Sequence, residues 1–383
     1  MRRVRVPTEG DFGSTLRGPE VTSRVGVWLG VCFGVAFVTG VISHEAYVAH
    51  PLIAFPTRPV WGYRLTQGLH VVCGTAAVPL LLVKLWSVYP KLFARPPHHL
   101  RELLRHAWER ASVGVLVAAA IFQLATGLAD TAQWYPWAFH FRATHDAVGW
   151  IAIGALLVHV AVKLPLIRSS LAVDLEGPSP PVRKEPTLSR RGLVRAALLA
   201  SGTAVLATAG STVPALRTVS LLAVRSGDGP AGVPVNKSAR AAEVVAAALS
   251  PGYRLVVAYD GRERSFSRSD LARLEQHTAE LPIACVEGWS ASGRWSGVRV
   301  RDLLDLVGAP RRHDVRVVSL QPRGPFRETT LPAQFADDPL TLLALSLSGE
   351  PLAIDHGYPC RLIAPDRPGV LQTKWVGRLE VLA

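Results

Sequence analysis

Long runs of apolar residues fill the first half of the chain, whereas the second half is built from short segments. Four apolar runs lie at roughly 25–43, 65–83, 111–129 and 145–165, and a fifth lies at about 196–213. A run of about 20 apolar residues is long enough to cross a bilayer as a helix. The pattern therefore predicts five transmembrane helices, with membrane lipid as a partner.

The pattern changes after Ser220, where short elements replace the long runs. YRLVVAYDGRERSFS, residues 253–267, alternates around an Asp-Gly turn and predicts a hairpin. SRSDLARLEQH at 267–277 has helical spacing behind a serine cap, and VRVRDLLDLVG at 298–308 predicts a short helix closed by Gly308. Strands are predicted at 315–320, 341–349, 360–366 and 375–382. The result is a mixed α+β domain.

The net charge of +13 is distributed unevenly. Residues 1–219 hold 22 Lys or Arg against 11 Asp or Glu, while residues 220–383 hold 20 against 18. In the first half, 18 of the 22 basic residues lie in the N-terminal tail, the 84–110 loop and the 163–195 segment. This positive-inside pattern predicts a multi-pass protein of the cell membrane, with a cytoplasmic N-terminus and an extracytoplasmic C-terminal domain. That nearly neutral domain lacks the basic face that duplex DNA requires, so no nucleic acid partner is expected.

These patterns divide the chain into five parts. We predict a cytoplasmic tail at 1–24, a four-helix transmembrane domain at 25–167, a cytoplasmic linker at 168–190, a fifth transmembrane helix at 191–214 and an external domain at 220–383. The linker contains EGPSPPVRKEP, whose proline and charge are typical of a flexible connection.

The fifth apolar run begins with a pair of arginines. SRRGLVRAALLASG at 189–202 resembles the twin-arginine export signal of bacterial proteins that cross the membrane already folded. The other interpretation is a positively charged flank on an ordinary transmembrane helix. Cleavage near Ala209 stays open, because Ala207 and Ala209 have the small side chains of a signal-peptidase site.

Three histidines lie within the apolar runs, where ionisable residues are costly and usually functional. His70 lies on the second helix, and the fourth helix carries His145 and His159. Fourteen residues return a helix to within about 40° of its starting direction and rise about 21 Å. One helix face therefore presents two imidazoles at two depths, which suits two stacked haems, since imidazole is a good iron ligand. The alternative for each histidine is a hydrogen bond between helices.

This arrangement resembles the di-haem b-type cytochrome subunits of membrane-bound formate dehydrogenases and nickel hydrogenases, over roughly residues 20–165. The resemblance implies that His70 and His145 hold an outer haem b. It also implies a histidine near the start of helix one, but RVGVW at 24–28 has none. One haem is therefore expected, and His159 is the candidate ligand of a second. Other candidates are His44, as a rival ligand, and three candidate partners of His159: His98, His99 and His106.

Cys285 and Cys360 are the two cysteines of the external domain. A disulfide between them is one interpretation for an oxidising compartment. A catalytic thiol would need a nearby base, and no histidine is close in sequence. Ligation of a soft or high-valent metal by the thiolate is the third interpretation.

A second resemblance favours ligation. CVEGWS at 285–290, followed by GRWSGVRVRDLL, resembles the molybdenum-ligand loop of the sulfite oxidase family, in particular its methionine sulfoxide reductase branch. The stretch 355–381 is similar to the segment that wraps the molybdopterin in that family, and PVNKSA at 234–239 matches an early pterin contact. The resemblance implies a sulfite oxidase-type molybdopterin domain in which Cys285 is the catalytic molybdenum ligand. It implies that the pterin and its phosphate contact Asn236, Lys237, His356, Arg361 and Lys374, since a phosphate needs cations and backbone donors. Arg323 and Arg327 are candidates for a substrate oxyanion pocket.

The sequence thus predicts a membrane-bound molybdopterin enzyme that exchanges electrons with haem and the quinone pool. Its small-molecule substrate is an S-oxide or N-oxide to be reduced, with sulfite oxidation as the next candidate. Two hypotheses from other classes stay open: a binding or assembly protein without cofactor, in which Cys285 pairs with Cys360, and an electron-transfer subunit that serves a separate enzyme. The sequence does not fix the oligomeric state.

Overall fold

The computed structural model describes residues 7–12, 14–48, 51–52, 54–177, 188–224 and 229–382. The chain divides into two compact units. The helical unit comprises Met1–Val41, Leu69–Ala209 and Val219–Leu222, and the sheet unit comprises Ile42–Gly68, Gly210–Thr218 and Ala223–Ala383.

Five long helices account for most of the first 208 residues. They are α1 (Pro19–Glu45), α2 (Gly62–Val88), α3 (Leu100–Thr131), α4 (Phe141–Ala172) and α5 (Arg190–Thr208). In the part of the chain that the structure describes, four helical segments are long and apolar enough to cross a membrane: α1, α2 with the helical turn that follows it to Phe93, α3 and α4. The first four predicted helices are thereby confirmed as helices of membrane-spanning length. The crossing by α5 stays a prediction.

Helix α4 extends beyond its apolar run, and a polar side chain from α1 binds its end. Arg24 on α1 donates hydrogen bonds to the carbonyls of Ser170, Leu171 and Val173, at distances of 2.8–3.3 Å. These are among the carbonyls that a helix C-terminus leaves without an internal partner. Helix α4 therefore continues to Ala172, into the stretch predicted as linker. The rest of that linker includes residues 178–187, which lie outside the described residues.

Helix α5 ends earlier than the predicted run. The chain turns back after Thr208, and the Leu222 amide donates to the Ala207 carbonyl at 2.8 Å. The Ser220 hydroxyl donates to the Leu206 carbonyl at 2.5 Å. These bonds take up carbonyls near the end of the helix, so residues 209–214 lie outside it.

Among the described residues, the sheet unit contains ten strands in two five-stranded sheets. The first sheet has the order β2-β1-β10-β5-β6, and its pairs are antiparallel except for β1 with β10. The second has the order β3-β4-β7-β8, with β9 also paired to β7. The strands are β1 (Leu255–Tyr259), β2 (Arg262–Phe266), β3 (His277–Ala284), β4 (Ser290–Arg299), β5 (Val315–Ser319), β6 (Glu328–Leu331), β7 (Leu342–Leu347), β8 (Glu350–Pro351), β9 (Arg361–Ile363) and β10 (Val376–Val381).

Short helices connect the strands, and the buried apolar residues form two large cores. The helices are α6 (Val245–Leu249), α7 (Arg268–Arg273), α8 (Val300–Asp305) and α9 (Ala333–Ala336). The first core joins residues of both sheets, such as Leu255 and Leu379 of the first sheet and Leu343 of the second. The second core contains Leu281, Trp295 and Cys285.

The predicted α+β pattern is confirmed in this unit, with two corrections. Helix α7 has the predicted Ser267 cap but ends at Arg273, since the Gln276 side chain donates to the Leu271 and Leu274 carbonyls at 2.9 Å. The hairpin of β3 and β4 was not predicted, although it pairs over eight residues on each strand. Its Gly, Ser and Pro content disfavours strands locally, and burial of Trp289 and Trp295 outweighs that preference.

Candidate active site

Cys285 lies at the start of the loop that joins β3 to β4. Ala284 pairs with Ser290 at the end of the hairpin, so Cys285–Trp289 form a five-residue loop. Within it, the Cys285 amide donates to the Trp289 carbonyl at 2.9 Å, and the Gly288 amide donates to the Cys285 carbonyl at 3.0 Å. Gly288 has φ +85°, which glycine adopts without strain. The loop therefore presents a Cys285 side chain that is only 1 % exposed.

Lysine and arginine side chains gather around the same region. The Lys374 ammonium donates to the carbonyls of Lys237 and Asp355, at 2.7 and 2.9 Å. Lys374 interacts electrostatically with Arg361, Asp355, Cys285 and Lys237. Burial, followed by repulsion from Arg361, lowers the pKa of Lys374 to about 7.

Arg361 supplies a second buried cation. Its guanidinium donates to the His356 carbonyl at 3.2 Å and to the Gln372 carbonyl at 3.1 Å, and it lies 5.0 Å from the centre of the Trp295 ring. Burial lowers the pKa of Arg361 to about 9, so it stays cationic at neutral pH. Its Nε is buried without a hydrogen-bond partner.

The positively charged side chains around Lys374 suit an anionic ligand. Asp355 is the one carboxylate among the groups that interact with Lys374, against the cations Arg361 and Lys237. A buried excess of cationic groups is costly unless an opposite charge compensates it. The donors present therefore fit an anionic group such as a phosphate.

The other predicted contacts surround these cations. The Asn236 side chain accepts a hydrogen bond from the Lys237 amide at 2.9 Å, and the Lys237 ammonium donates to the Gln321 side chain at 2.8 Å. The His356 ring, 2 % exposed, donates through Nε2 to the Pro230 carbonyl at 2.9 Å. Asn236, Lys237, Cys285, His356, Arg361 and Lys374 are thus brought together from positions up to 138 residues apart in sequence. Their role in binding a cofactor stays a prediction.

The two arginines predicted for substrate binding have different surroundings. Arg323 forms an ion pair with Glu243, and its side chain is 80 % exposed. Arg327 donates through Nε to the Gln321 carbonyl at 3.0 Å, and Gln321 also binds Lys237. Arg327 is therefore connected to the cationic cluster, whereas Arg323 is held at the surface.

Two residues of the cluster were not predicted. Gln321 is buried and links Lys237 to Arg327. Gly357 has φ +111°, and a Cβ there would lie 2.9 Å from Arg361 Cβ and 3.2 Å from Lys374. Gly357 directly follows the predicted contact His356, and a glycine there could have indicated a backbone position with positive φ. No local pattern in the sequence indicates Gln321.

Cys360 is separate from this cluster. It is fully buried in the first core, where the Tyr253 hydroxyl lies 3.0 Å from its sulfur. Burial raises the pKa of Cys360 to about 12, which keeps the thiol protonated. Cys285 and Cys360 are not joined by a disulfide, so the disulfide interpretation fails.

Acid should destabilise the sheet unit through His356. Burial and then the charge of Arg361 lower its pKa to about 4, against about 6.5 in an unfolded chain. The unfolded chain therefore binds a proton first as the pH falls. The stabilisation, up to about 3 kcal/mol, is complete above pH 6.5 and is lost as the pH falls through about 4.

We expect His356→Gln, which cannot titrate, to flatten the pH dependence of unfolding between pH 4 and 6.5. Urea unfolding followed by tryptophan fluorescence measures it. Equal acid sensitivity in the variant and the wild type would contradict this role of His356.

In the helical unit, two of the three membrane histidines come together. The rings of His70 and His145 lie 6.2 Å apart, centre to centre. The His70 Nδ1 donates to the Ala36 carbonyl at 2.8 Å, and the His145 Nδ1 lies 2.9 Å from the Thr126 hydroxyl. Each ring is therefore held by a hydrogen bond between its Nδ1 and a group on a neighbouring helix.

His159 has different neighbours. It interacts electrostatically with Lys84, Lys163 and Glu109, and the last two form an ion pair. Lys84 donates to the Thr22 carbonyl at 2.8 Å. Its ammonium nitrogen would lie 2.8 Å from a Cβ added at Gly26.

Most of the sheet unit is similar to known proteins. Residues 242–383 match the family model of the oxidoreductase molybdopterin binding domain. Mitochondrial sulfite oxidase of Rattus norvegicus is 29 % identical over 157 residues, 34 % of this chain and 29 % of that protein. The putative protein-methionine-sulfoxide reductase subunit YedZ1 of Azospira oryzae is 35 % identical over 111 residues, 29 % of this chain and 40 % of that protein. The chain thus spans well under half the length of either relative.

Among solved structures, the sulfane dehydrogenase SoxCD from Paracoccus pantotrophus aligns with 35 % of this chain and 40 % of its own at 24 % identity. The TM-score of 0.31 is too low to indicate a shared fold. The family match and the relatives agree with the resemblance seen in the sequence. Residues 242–383 are therefore similar to molybdopterin-binding oxidoreductase domains of the sulfite oxidase type.

Proposed function

We propose that this protein is a membrane-bound molybdenum-dependent oxidoreductase that exchanges electrons between haem b, the quinone pool and an extracytoplasmic substrate. The observation that carries the proposal is the buried Cys285 thiol, which shares its surroundings with the cations Lys374 and Arg361. A thiolate is a suitable ligand for a soft or high-valent metal, and adjacent cations favour the thiolate.

The residues of the cluster divide the binding of the cofactor between them. Cys285 would be the protein ligand to molybdenum, and Lys374, Arg361 and Lys237 would hold the anionic phosphate of the pterin. Neutral His356 fixes the backbone at Pro230, and Asn236 fixes the amide of Lys237. When bound, the molybdenum cofactor supplies two-electron oxygen-atom transfer.

The paired histidines support a haem b in the helical unit. The ring centres of His70 and His145 lie 6.2 Å apart, so both imidazoles would be able to hold the same haem iron. Ligating histidines almost always donate their other ring nitrogen to a carbonyl or similar group, as His70 does to Ala36. We propose His70 and His145 as the ligands of one haem. His159, among charged side chains, is the candidate for a second.

For the substrate, we propose reduction of an S-oxide or N-oxide, with sulfite oxidation as the alternative. The relative from Azospira oryzae is described as a methionine sulfoxide reductase subunit, and the relative from Rattus norvegicus as a sulfite oxidase. Arg327, through Gln321, is better connected to the cofactor residues than Arg323. It is therefore the stronger candidate for holding a polar substrate oxygen.

Two observations weigh against the competing hypotheses. A binding protein with a Cys285–Cys360 disulfide conflicts with the placement of these cysteines in different cores. An electron-transfer subunit without chemistry of its own conflicts with the oxidoreductase domain at 242–383.

Metal and haem analysis of the purified chain tests the proposal. We expect about one molybdenum per chain together with a haem b difference spectrum on reduction. Haem without molybdenum would support the electron-transfer subunit instead. The absence of both would support the binding protein.

A further inference from the structure

The segment between α1 and α2 belongs to the sheet unit. Residues Ile42–Gly68 include the last turn of α1 and the first two turns of α2. They bind the molybdopterin-type domain through several side chains. The contacts are Arg58 with Asp338 at 2.8 Å, the Tyr63 amide with the Asp366 carboxylate, Arg64 with Ser292 at 3.0 Å and Gln67 with Val286 at 3.1 Å.

One of these contacts reaches the loop that carries Cys285. The Gln67 amide nitrogen donates to the carbonyl of Val286, the residue directly after Cys285. Gln67 is 4 % exposed, so this bond is shielded from water. A shielded bond to a backbone carbonyl is worth more than an exposed one, because losing it leaves a buried polar group unsatisfied.

The orientation of the Gln67 amide is itself fixed. Its oxygen accepts a hydrogen bond from the Ser43 hydroxyl at 3.0 Å, and that hydroxyl also lies 3.2 Å from the Tyr63 hydroxyl. Ser43 and Tyr63 are both buried. The amide nitrogen is consequently held toward Val286.

The Gln67 contact differs from the hydrogen bonds inside the loop. Within the loop, the Cys285 amide binds the Trp289 carbonyl, the Gly288 amide binds the Cys285 carbonyl, and the Trp289 indole donates to the Glu287 carboxylate, and these bonds fix the shape of the loop. The Gln67 bond attaches the loop from outside, next to the thiol-bearing residue. The nearby Arg64 contact is on β4 instead, at Ser292.

We propose that Gln67 is a positioning residue for the molybdenum ligand: its amide holds the Val286 carbonyl and thereby sets the position of the Cys285 thiolate. This proposal rests on the proposed function, because it assumes that Cys285 binds molybdenum. It makes the first turns of a membrane helix part of the active-site framework of the molybdopterin domain.

Two substitutions at Gln67 test the proposal in the full-length chain. Gln67→Glu keeps the size and the acceptor for Ser43 but removes the donor to Val286, and Gln67→Leu removes both. Ser43→Ala disturbs the amide orientation without touching Gln67. Arg64→Met is the matched control, since it removes a contact from the same helix end to β4.

The first readout needs no cofactor. Hydrogen exchange at the Cys285 and Gly288 amides of the metal-free protein should become about 5-fold faster in the Gln67 variants, as expected when one buried hydrogen bond is lost. A smaller change in the same direction is expected for Ser43→Ala. Arg64→Met should leave both amides unchanged. Unchanged exchange in both Gln67 variants, or an equal effect of Arg64→Met, would overturn the positioning role.

The second readout concerns the metal. In the molybdenum-loaded protein, the Mo(V) electron paramagnetic resonance spectrum of Gln67→Glu and Gln67→Leu should shift relative to wild type at unchanged metal content. The spectrum of Arg64→Met should match wild type. Faster loop exchange with an identical Mo(V) spectrum would overturn the link from Gln67 to the metal. A wild-type chain that binds no molybdenum would refute the proposed function, separately from the exchange result.

Discussion

Replacing Cys285 with serine is expected to reduce substrate turnover more than about 100-fold while leaving the haem spectrum intact. Loss of groups that merely support a metal ligand typically costs 10- to 100-fold in metal affinity or activity, at the order-of-magnitude level. Loss of the ligand itself should cost more. Turnover is measured with a reduced dye as the electron donor and a sulfoxide as acceptor, and haem by its difference spectrum.

The second external cysteine provides the control for this variant. Cys360→Ala removes a thiol that is buried in the other core, beside Tyr253. It should keep turnover and lower the free energy of unfolding by about 1 kcal/mol, the usual cost of a small core truncation. Wild-type turnover in Cys285→Ser would refute the assignment of Cys285 as the ligand.

Replacing His145 with alanine is expected to remove the haem b difference spectrum and to abolish quinol-dependent turnover. The ring of His145 lies 6.2 Å from that of His70, and each ring is held through its Nδ1. The proposed haem would therefore lose one of its two ligands. Molybdenum content and dye-dependent turnover should persist, because the residues proposed to hold the cofactor, Cys285, Lys374 and Arg361, are unchanged.

His159→Ala is the matched control, since it removes an imidazole from the same helix. It should preserve the haem that we propose for His70 and His145, whatever its effect on a second haem. If His145→Ala retained the full haem spectrum while His159→Ala lost it, the ligand assignment would be wrong.

The membrane helices were predictable because a long apolar run is a strong local signal. Their ends were less so, because they depend on contacts between distant residues. Arg24, on the first helix, binds the last carbonyls of the fourth. The chain beyond Thr208 turns back onto α5. Apolar length alone cannot indicate either contact.

The hairpin whose loop carries Cys285 was not predictable from the local sequence pattern. The β3–β4 hairpin is rich in Gly, Ser and Pro, and only tertiary burial of residues such as Trp295 makes it a sheet. The loop was nevertheless identified, because CVEGWS resembles a known ligand loop. Family resemblance therefore indicated a candidate site whose secondary structure the local pattern did not predict.

The remaining site residues needed three-dimensional information. Gln67 is 219 residues from Val286 in sequence and lies in an apolar run, where a glutamine is most simply an interhelical contact. Gln321 likewise has no pattern that connects it with Lys237 and Arg327. Side chains that bind backbone carbonyls leave little trace in sequence, because the partner residue can be of any type.

The most direct test of the account is the number of sulfur atoms bound to molybdenum, measured by X-ray absorption on the wild type and on Cys285→Ser. We predict that the wild type has one more molybdenum–sulfur neighbour than the variant. An equal sulfur count in the two proteins, with molybdenum bound in both, would contradict the claim that the Cys285 thiolate holds the metal.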